Sequence, residues 1–325
     1  MSFATLRRQG AAPLLALALG LAATAHAAAP QVKTQGPGFY RMMLGRFEIT
    51  VLSDGTHPFP VDTVMTGTTP AAIAASLARE DLRQPLQGSI NAFLVNTGDK
   101  LVLIDSGAGT LYGACCGKLA ANLRAAGYDP AQVDEVLLTH LHKDHVGGIA
   151  PGGVAAFPNA VVRAARPEAG YWLAPGAEST APALLSSFFG SARDAVQPYA
   201  AAGRFQPFDG AQELVPGIRA VAEPGHTPGH TGYLVESEGK RLLVWGDVVH
   251  VAPLQLRDTR VSVLYDNGGA AAARTRRALL ERAAREHLWI AAAHVAFPGL
   301  GHVRREGGRY AWIPANYEGD PGTPP

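Results

Sequence analysis

Short apolar runs separated by turn-forming residues dominate the chain. The segments 47–52 (FEITVL), 91–96 (NAFLVN), 101–104 (LVLI), 135–138 (EVLL), 160–163 (AVVR), 218–222 (IRAVA), 232–236 (GYLVE) and 241–245 (RLLVW) are rich in Val, Leu and Ile, and many end at Gly, Asp or Asn. Runs of this length bounded by turn formers predict strands. Between them, 70–80, 115–127, 183–202 and 270–286 predict helices; the last, AAAARTRRALLERAARE, sets Ala and Leu at helical spacing among strong helix formers. Strands come first, a helix follows, strands return and a helix comes near the end. That order predicts a layered α/β sandwich rather than a strictly alternating doubly wound sheet. No repeat, low-complexity linker or composition break divides residues 28–325, so a single domain is expected there.

The first residues depart from this pattern. Arg7 and Arg8 precede a charge-free stretch that lasts to Lys33, with an apolar heart at Leu14–Leu21 followed by Ala25-His26-Ala27. A basic start, a short apolar run and small residues at alternating positions predict a secretory signal peptide over 1–27, cleaved after Ala27. The run is too short to span a bilayer, so the mature protein is expected in the periplasm with no membrane span. General secretory and twin-arginine export both remain open.

Composition narrows the field further. With 47% apolar residues, 28 Lys plus Arg against 27 Asp plus Glu and two cysteines, the chain is not disordered, not a disulfide-scaffolded mini-protein and not a polytopic membrane protein. A formal charge of +1 argues against nucleic acid as a partner, because neutralising phosphates needs an excess of basic residues. Cys115 and Cys116 are adjacent and would close too small a ring to staple the fold. They read as packing residues or free thiols.

The chemistry concentrates beyond the strand at 135–138. Thr139-His140-Leu141-His142-Lys143-Asp144-His145 places three imidazoles and a carboxylate within six residues, ahead of Val146-Gly147-Gly148. A loop at a strand end lets all four side chains converge, which neither a continuous strand nor a continuous helix would allow. Neutral imidazole and carboxylate are the donors that zinc and similar divalent ions take. No Gly-x-Ser-x-Gly element or Walker phosphate loop offers a competing chemistry.

His140-x-His142-x-Asp144-His145 resembles the signature of the metallo-β-lactamase superfamily. Pro224-Gly225-His226-Thr227-Pro228-Gly229-His230 is similar to its second histidine element, Trp245-Gly246-Asp247 to its bridging-carboxylate strand, and Ala292-Ala293-His294 to its last ligand. Within the superfamily the chain resembles the methyl parathion hydrolase group of secreted binuclear phosphotriesterases, from Gly38-Phe39-Tyr40-Arg41 to the segment His294–His302. The resemblance implies a four-layer αββα sandwich. It implies one metal on His140, His142 and His226, a second on Asp144, His145 and His294, and Asp247 bridging the two. Five neutral imidazoles and two carboxylates then leave a net +2 on two divalent ions, most simply zinc, with Mn, Co and Fe as alternatives.

By the same resemblance, a hydroxide bridging the metals attacks a neutral phosphotriester, lactone or carboxylic ester, with Asp144 and Asp247 as the catalytic carboxylates. A quorum-quenching lactonase falls within that range. A β-lactamase and an iron-dependent redox enzyme on the same fold are the alternatives, and a homodimer is implied. The substrate pocket is expected at Tyr112, Trp172, Phe189, His250 and Tyr265, with Phe188 in reserve. Tyr112, Tyr265 and His250 stand where the phosphotriesterases carry apolar residues, which makes this pocket more polar. His250 either lines the pocket or faces outward. His230 is expected behind the ligands or in packing, His302 in a structural role, and His57 and His287 at the surface. Asp105 and, by the same reading, Asp54 are expected to brace the metal loop, and Thr139 to cap or orient it.

Overall fold

Alternation along the strands sorts their residues onto two faces, and those faces build the layers. In Leu101–Ile104, Val102 and Ile104 enter the core between two sheets while Leu101 and Leu103 pack outward beneath helices. In Lys240–Val244 the inward pair is Leu242 and Val244, and Leu243 turns outward with Trp245. Both outer faces are apolar, so both need a covering layer. The helices Leu119–Ala125 and Ser186–Ala201 cover one, burying Leu123, Phe189, Val196 and Tyr199; Gly269–Glu286 covers the other with Leu279, Leu280 and Ala283. Each large apolar side chain so buried contributes about 1.5–3 kcal/mol. The result is the expected helix–sheet–sheet–helix sandwich in a computed structural model that describes residues 1, 29–179 and 181–319.

The six-stranded sheet runs Phe39–Leu44, Phe47–Phe59, Leu86–Asn96, Leu101–Ile104, Glu135–Leu137, Val161–Arg163. Its first four strands are antiparallel and the last two join in parallel. The seven-stranded sheet runs Arg309–Pro314, Leu300–Glu306, Trp289–Ala291, Lys240–Val244, Thr231–Ser237, Ile218–Ala222, Glu213–Val215; only the pair formed by Trp289–Ala291 and Lys240–Val244 is parallel. From Pro37 onward the described residues form one compact unit, and residues 29–36, which cluster separately, carry no helix or strand. The expected signal peptide, Met1 apart, lies outside the described residues. Among the described residues no helix is long and apolar enough to cross a membrane.

The structure adds strands at Phe39–Leu44, Glu213–Val215, Trp289–Ala291, Leu300–Glu306 and Arg309–Pro314 that the apolar pattern did not predict. Two of these have only three residues, and Leu300–Glu306 ends in Arg304, Arg305 and Glu306, all exposed. The helix expected over 115–127 is confined to Leu119–Ala125, because Gly117 stands at φ +80° and ends the preceding turn. That expected over 183–202 begins as a single 3-10 turn, Ala183–Leu185, before Ser186–Ala201.

Candidate metal centre

The His-rich segment leaves the sheet at Leu137 and is folded tightly against the loop at 105–108. A Cβ on Gly147 would lie 2.2 Å from the Ala108 carbonyl oxygen, and one on Gly148 1.9 Å from that of Ser106. Only glycine permits this approach. Asp105, at φ +61°, fixes the start of the loop: its carboxylate accepts from the Thr139 N–H and the Thr139 hydroxyl, both at 2.8 Å, and from His145 Nδ1 at 2.8 Å. The segment then makes a one-turn helix, Lys143–Val146, which separates Asp144 and His145 from His140 and His142.

The seven expected ligands converge. His226 Nε2 lies 3.0 Å from His142 Nδ1 and 3.3 Å from Asp247 Oδ2, which is also 3.7 Å from His140 Nε2. On the other side Asp247 Oδ1 is 3.1 Å from His145 Nε2 and 3.2 Å from His294 Nε2, with Asp144 Oδ2 at 3.8 Å and 3.5 Å from the same two nitrogens. Donors about 2.1 Å from a tetrahedral ion stand roughly 3.4 Å apart, so these spacings suit two ions with Asp247 between them. The nitrogens His140 Nε2 and His145 Nε2 and the oxygen Asp247 Oδ1 are buried with no hydrogen-bond partner. Such buried orphans fit a divalent cation.

In four of the five imidazoles, all but His142, the other ring nitrogen is occupied, which fixes which nitrogen faces the cluster. His226 Nδ1 donates to Asp266 Oδ1 at 2.8 Å, His294 Nδ1 to the Ser89 carbonyl at 2.8 Å, and His140 Nδ1 faces Thr139 Oγ1 at 3.0 Å. Burial, followed by the neighbouring imidazoles, holds His140 and His142 well below the ordinary histidine range, in the neutral form that coordinates metal. For His226 burial acts in the same direction, but Asp247 and Asp266 outweigh it and lift the ring to about 9. The carboxylates thus draw positive charge to this point.

Several supporting residues escaped the sequence reading. Glu168, fully buried, accepts from Leu141 N at 3.0 Å, Thr227 Oγ1 at 2.7 Å and Gly229 N at 2.9 Å, tying the two histidine segments together. Burial raises its carboxyl although its hydrogen-bond donors, Thr227 first, oppose the shift. Arg276, 1% exposed, donates to the carbonyls of Val248, Thr259 and Val261 and so fixes the turn carrying Asp247. A lone Glu in Arg-Pro-Glu and one Arg in an Arg-rich helix offer no sequence signal for either role. His230 takes the backbone N–H of Asp247 on Nε2 at 3.0 Å, behind the cluster rather than in it.

A cavity of about 400 Å³ opens onto the centre, with His142, Asp144, Asp247, His250 and His294 among its lining residues. Tyr112, His250 and Tyr265 line it, and His250 Nε2 lies 3.0 Å from Asp247 Oδ2. Trp172 and Phe189 do not line it: their rings pack 4.5 Å apart in the helix-side core, where successive positions on the helix turn Phe189 inward and leave Phe188 to form the wall. His57, expected at the surface, is half-buried in the cavity wall beside Tyr112, because the strand Phe47–Phe59 extends seven residues past its predicted end. His287 is exposed at a left-handed helix end, and His302 packs on Trp289 at 4.0 Å. Asp54 accepts from the backbone of Ala108, Gly117 and Leu119. Cys115 and Cys116 are free thiols, and Cys115 lines the cavity.

A two-sheet sandwich with a histidine–aspartate cluster at the ends of its strands defines a class, the metal-binding proteins built on this fold. The chain belongs to the metallo-beta-lactamase superfamily, whose family model matches residues 85–294. The crystal structure of hydrolase AbOPH in the beta lactamase superfamily is 36% identical, superposes with a TM-score of 0.84, and covers 88% of this chain and all of that one. AidC, a dizinc quorum-quenching lactonase in complex with a product, shares the fold at 24% identity and a TM-score of 0.77, covering 86% of this chain and 98% of its own. The N-acyl homoserine lactonase AttM of Agrobacterium fabrum is 32% identical over 131 residues, 38% of this chain and 43% of AttM. An N-acyl homoserine lactonase from Bacillus sp is 30% identical over 116 residues, 36% of this chain and 38% of its own. The chain thus spans about two fifths of the length of these curated relatives.

Proposed function

We propose that this protein hydrolyses a small neutral lactone or carboxylic ester at a dinuclear metal centre. His140, His142 and His226 would hold one ion and Asp144, His145 and His294 a second, with Asp247 shared between them. Two divalent ions, zinc by preference, would supply Lewis acidity toward the substrate oxygen and an activated water. The carrying observation is the cavity itself: it includes the histidine–aspartate cluster in its lining, its apolar wall includes Phe59, Pro60, Val64 and Phe188, and among the described residues no Lys or Arg lines it. Such a wall accepts an uncharged, partly apolar substrate and, away from the centre, adds no side-chain cation to pair with an anion.

The chain's own groups do the positioning. Asp266, Asp105 and the Ser89 carbonyl keep three imidazole rings in register, so little reorganisation is needed when charge develops. His250 and the hydroxyls of Tyr112 and Tyr265 supply polar contacts near the centre. Burial first, then the nearby Asp144 and Asp247, raises both phenols well above their ordinary range, so they stay protonated and able to donate. Those polar groups, with the lactonases among the relatives, favour a carbonyl substrate. A phosphotriester places its growing charge at the same point and is expected as a slower substrate.

The deciding experiment is a kinetic panel on metal-reconstituted protein with N-acyl homoserine lactones, aryl esters and methyl parathion. The expected order puts a lactone or aryl ester first in kcat/KM. Comparable failure on all three overturns the reading. The proposal includes export after cleavage near Ala27 and assembly as a homodimer, checked by N-terminal sequencing of secreted protein and by sedimentation.

A further inference from the structure

A second, separate cleft of about 690 Å³ is lined by six arginines: Arg79, Arg257, Arg260, Arg277, Arg305 and Arg309. They come from four parts of the chain: the end of the helix Pro70–Ala78, the loop after Gln255, the helix Gly269–Glu286, and the hairpin formed by Leu300–Glu306 and Arg309–Pro314. Arg260 is matched by Asp258 through two contacts of 2.8 and 2.9 Å. Among the described residues the other five make no ion pair within 4.0 Å; Arg79 reaches only Ser76 Oγ, and Arg305 only the Gly307 carbonyl. Glu281 is the remaining carboxylate in the lining.

Five guanidinium groups without an ion pair among the described residues share one concave surface with two carboxylates, Asp258 and Glu281, and such an excess of one sign of charge in a cleft focuses its field. The planar, five-donor guanidinium matches phosphate oxygens in pairs. We propose that this cleft binds a small molecule bearing two or more phosphate groups, free in solution or presented on a lipid headgroup. The site is distinct from the metal pocket, which among the described residues contains no Lys or Arg, and it does not depend on the reaction proposed there.

The test is calorimetric titration of metal-replete protein with fructose 1,6-bisphosphate at fixed ionic strength, alongside sedimentation with vesicles containing cardiolipin, whose headgroup carries two phosphates. Wild type is compared with the double variant Arg257→Ala/Arg309→Ala, with its Lys/Lys counterpart, and with metal-stripped wild type. Saturable binding of the bisphosphate, weakened about tenfold or more in the Ala/Ala variant and partly restored in Lys/Lys, supports a soluble ligand. Vesicle binding alone, with the same dependence on the arginines, supports a lipid-borne phosphate. Melting curves and metal content identical to wild type show that the variants are folded. The proposal is overturned if neither probe binds, if binding survives the Ala/Ala change, or if it disappears on metal removal, which would place the phosphate at the metal centre.

Discussion

The metal centre and the arginine cleft share one stretch of chain yet are built in opposite ways. The segment from His250 to Tyr265 sends those two residues to the metal pocket and Arg257–Val261 to the cleft. At the centre, short side chains are buried and most are held by a second hydrogen bond, so the spacing of donors is fixed before any ion arrives. At the cleft, long side chains lie in or near solvent and most are held by no carboxylate. A site that must place atoms to within tenths of an ångström needs the first construction. One that attracts charge through a field tolerates the second.

Breaking the centre at its shared ligand gives the largest expected effect. Asp247→Ala removes the carboxylate facing both halves of the cluster, and hydrolytic activity is expected to fall on the order of a thousandfold with loss of bound metal, read by kinetics and elemental analysis. The next effect tests preorganisation. Asp266→Asn keeps the ligand set but weakens the hold on His226 Nδ1, and a drop of about 10–100-fold in metal affinity is expected by chelator competition. Unchanged affinity would show that the ring is fixed by packing alone.

A smaller effect is expected where support, not ligation, is removed. Glu168→Gln leaves a poorer acceptor for the Leu141, Thr227 and Gly229 donors, and a loss of roughly 1.5–3 kcal/mol should appear in denaturant melts. Least of all should follow from Arg309→Ala, which touches an exposed side chain without an ion pair among the described residues. Stability within about 0.5 kcal/mol of wild type is expected, and a larger loss would assign the cleft a structural role and erase the contrast.

How legible these regions were follows from where their residues lie in sequence. Four of the seven ligand positions fall within His140–His145, and local spacing alone marked them as a metal motif. The remaining three, His226, Asp247 and His294, were reached through a family resemblance. The supports were harder to see. Asp266, Glu168 and Arg276 lie 40, 59 and 28 residues from a partner they hold, and an isolated acid or base carries no mark of what it will face. Pocket aromatics were half legible: Tyr112 and Tyr265 line the cavity, while Trp172 and Phe189 lie in the core, since aromatic side chains suit both places.

By itself, the sequence determined the alternation that makes two-faced strands, the apolar faces that demand helices on both sides, and the histidine motif at a strand end. Those are local properties, set by period and by residue chemistry over a few positions. From a charge of +1 it also argued against nucleic acid as a partner. Where charge collects was decided by tertiary structure alone, because net charge is a sum over the chain whereas a field depends on distance. Arginines as far apart as Arg79 and Arg309 line one cleft, and the carboxylates that balance them in the count lie mostly elsewhere.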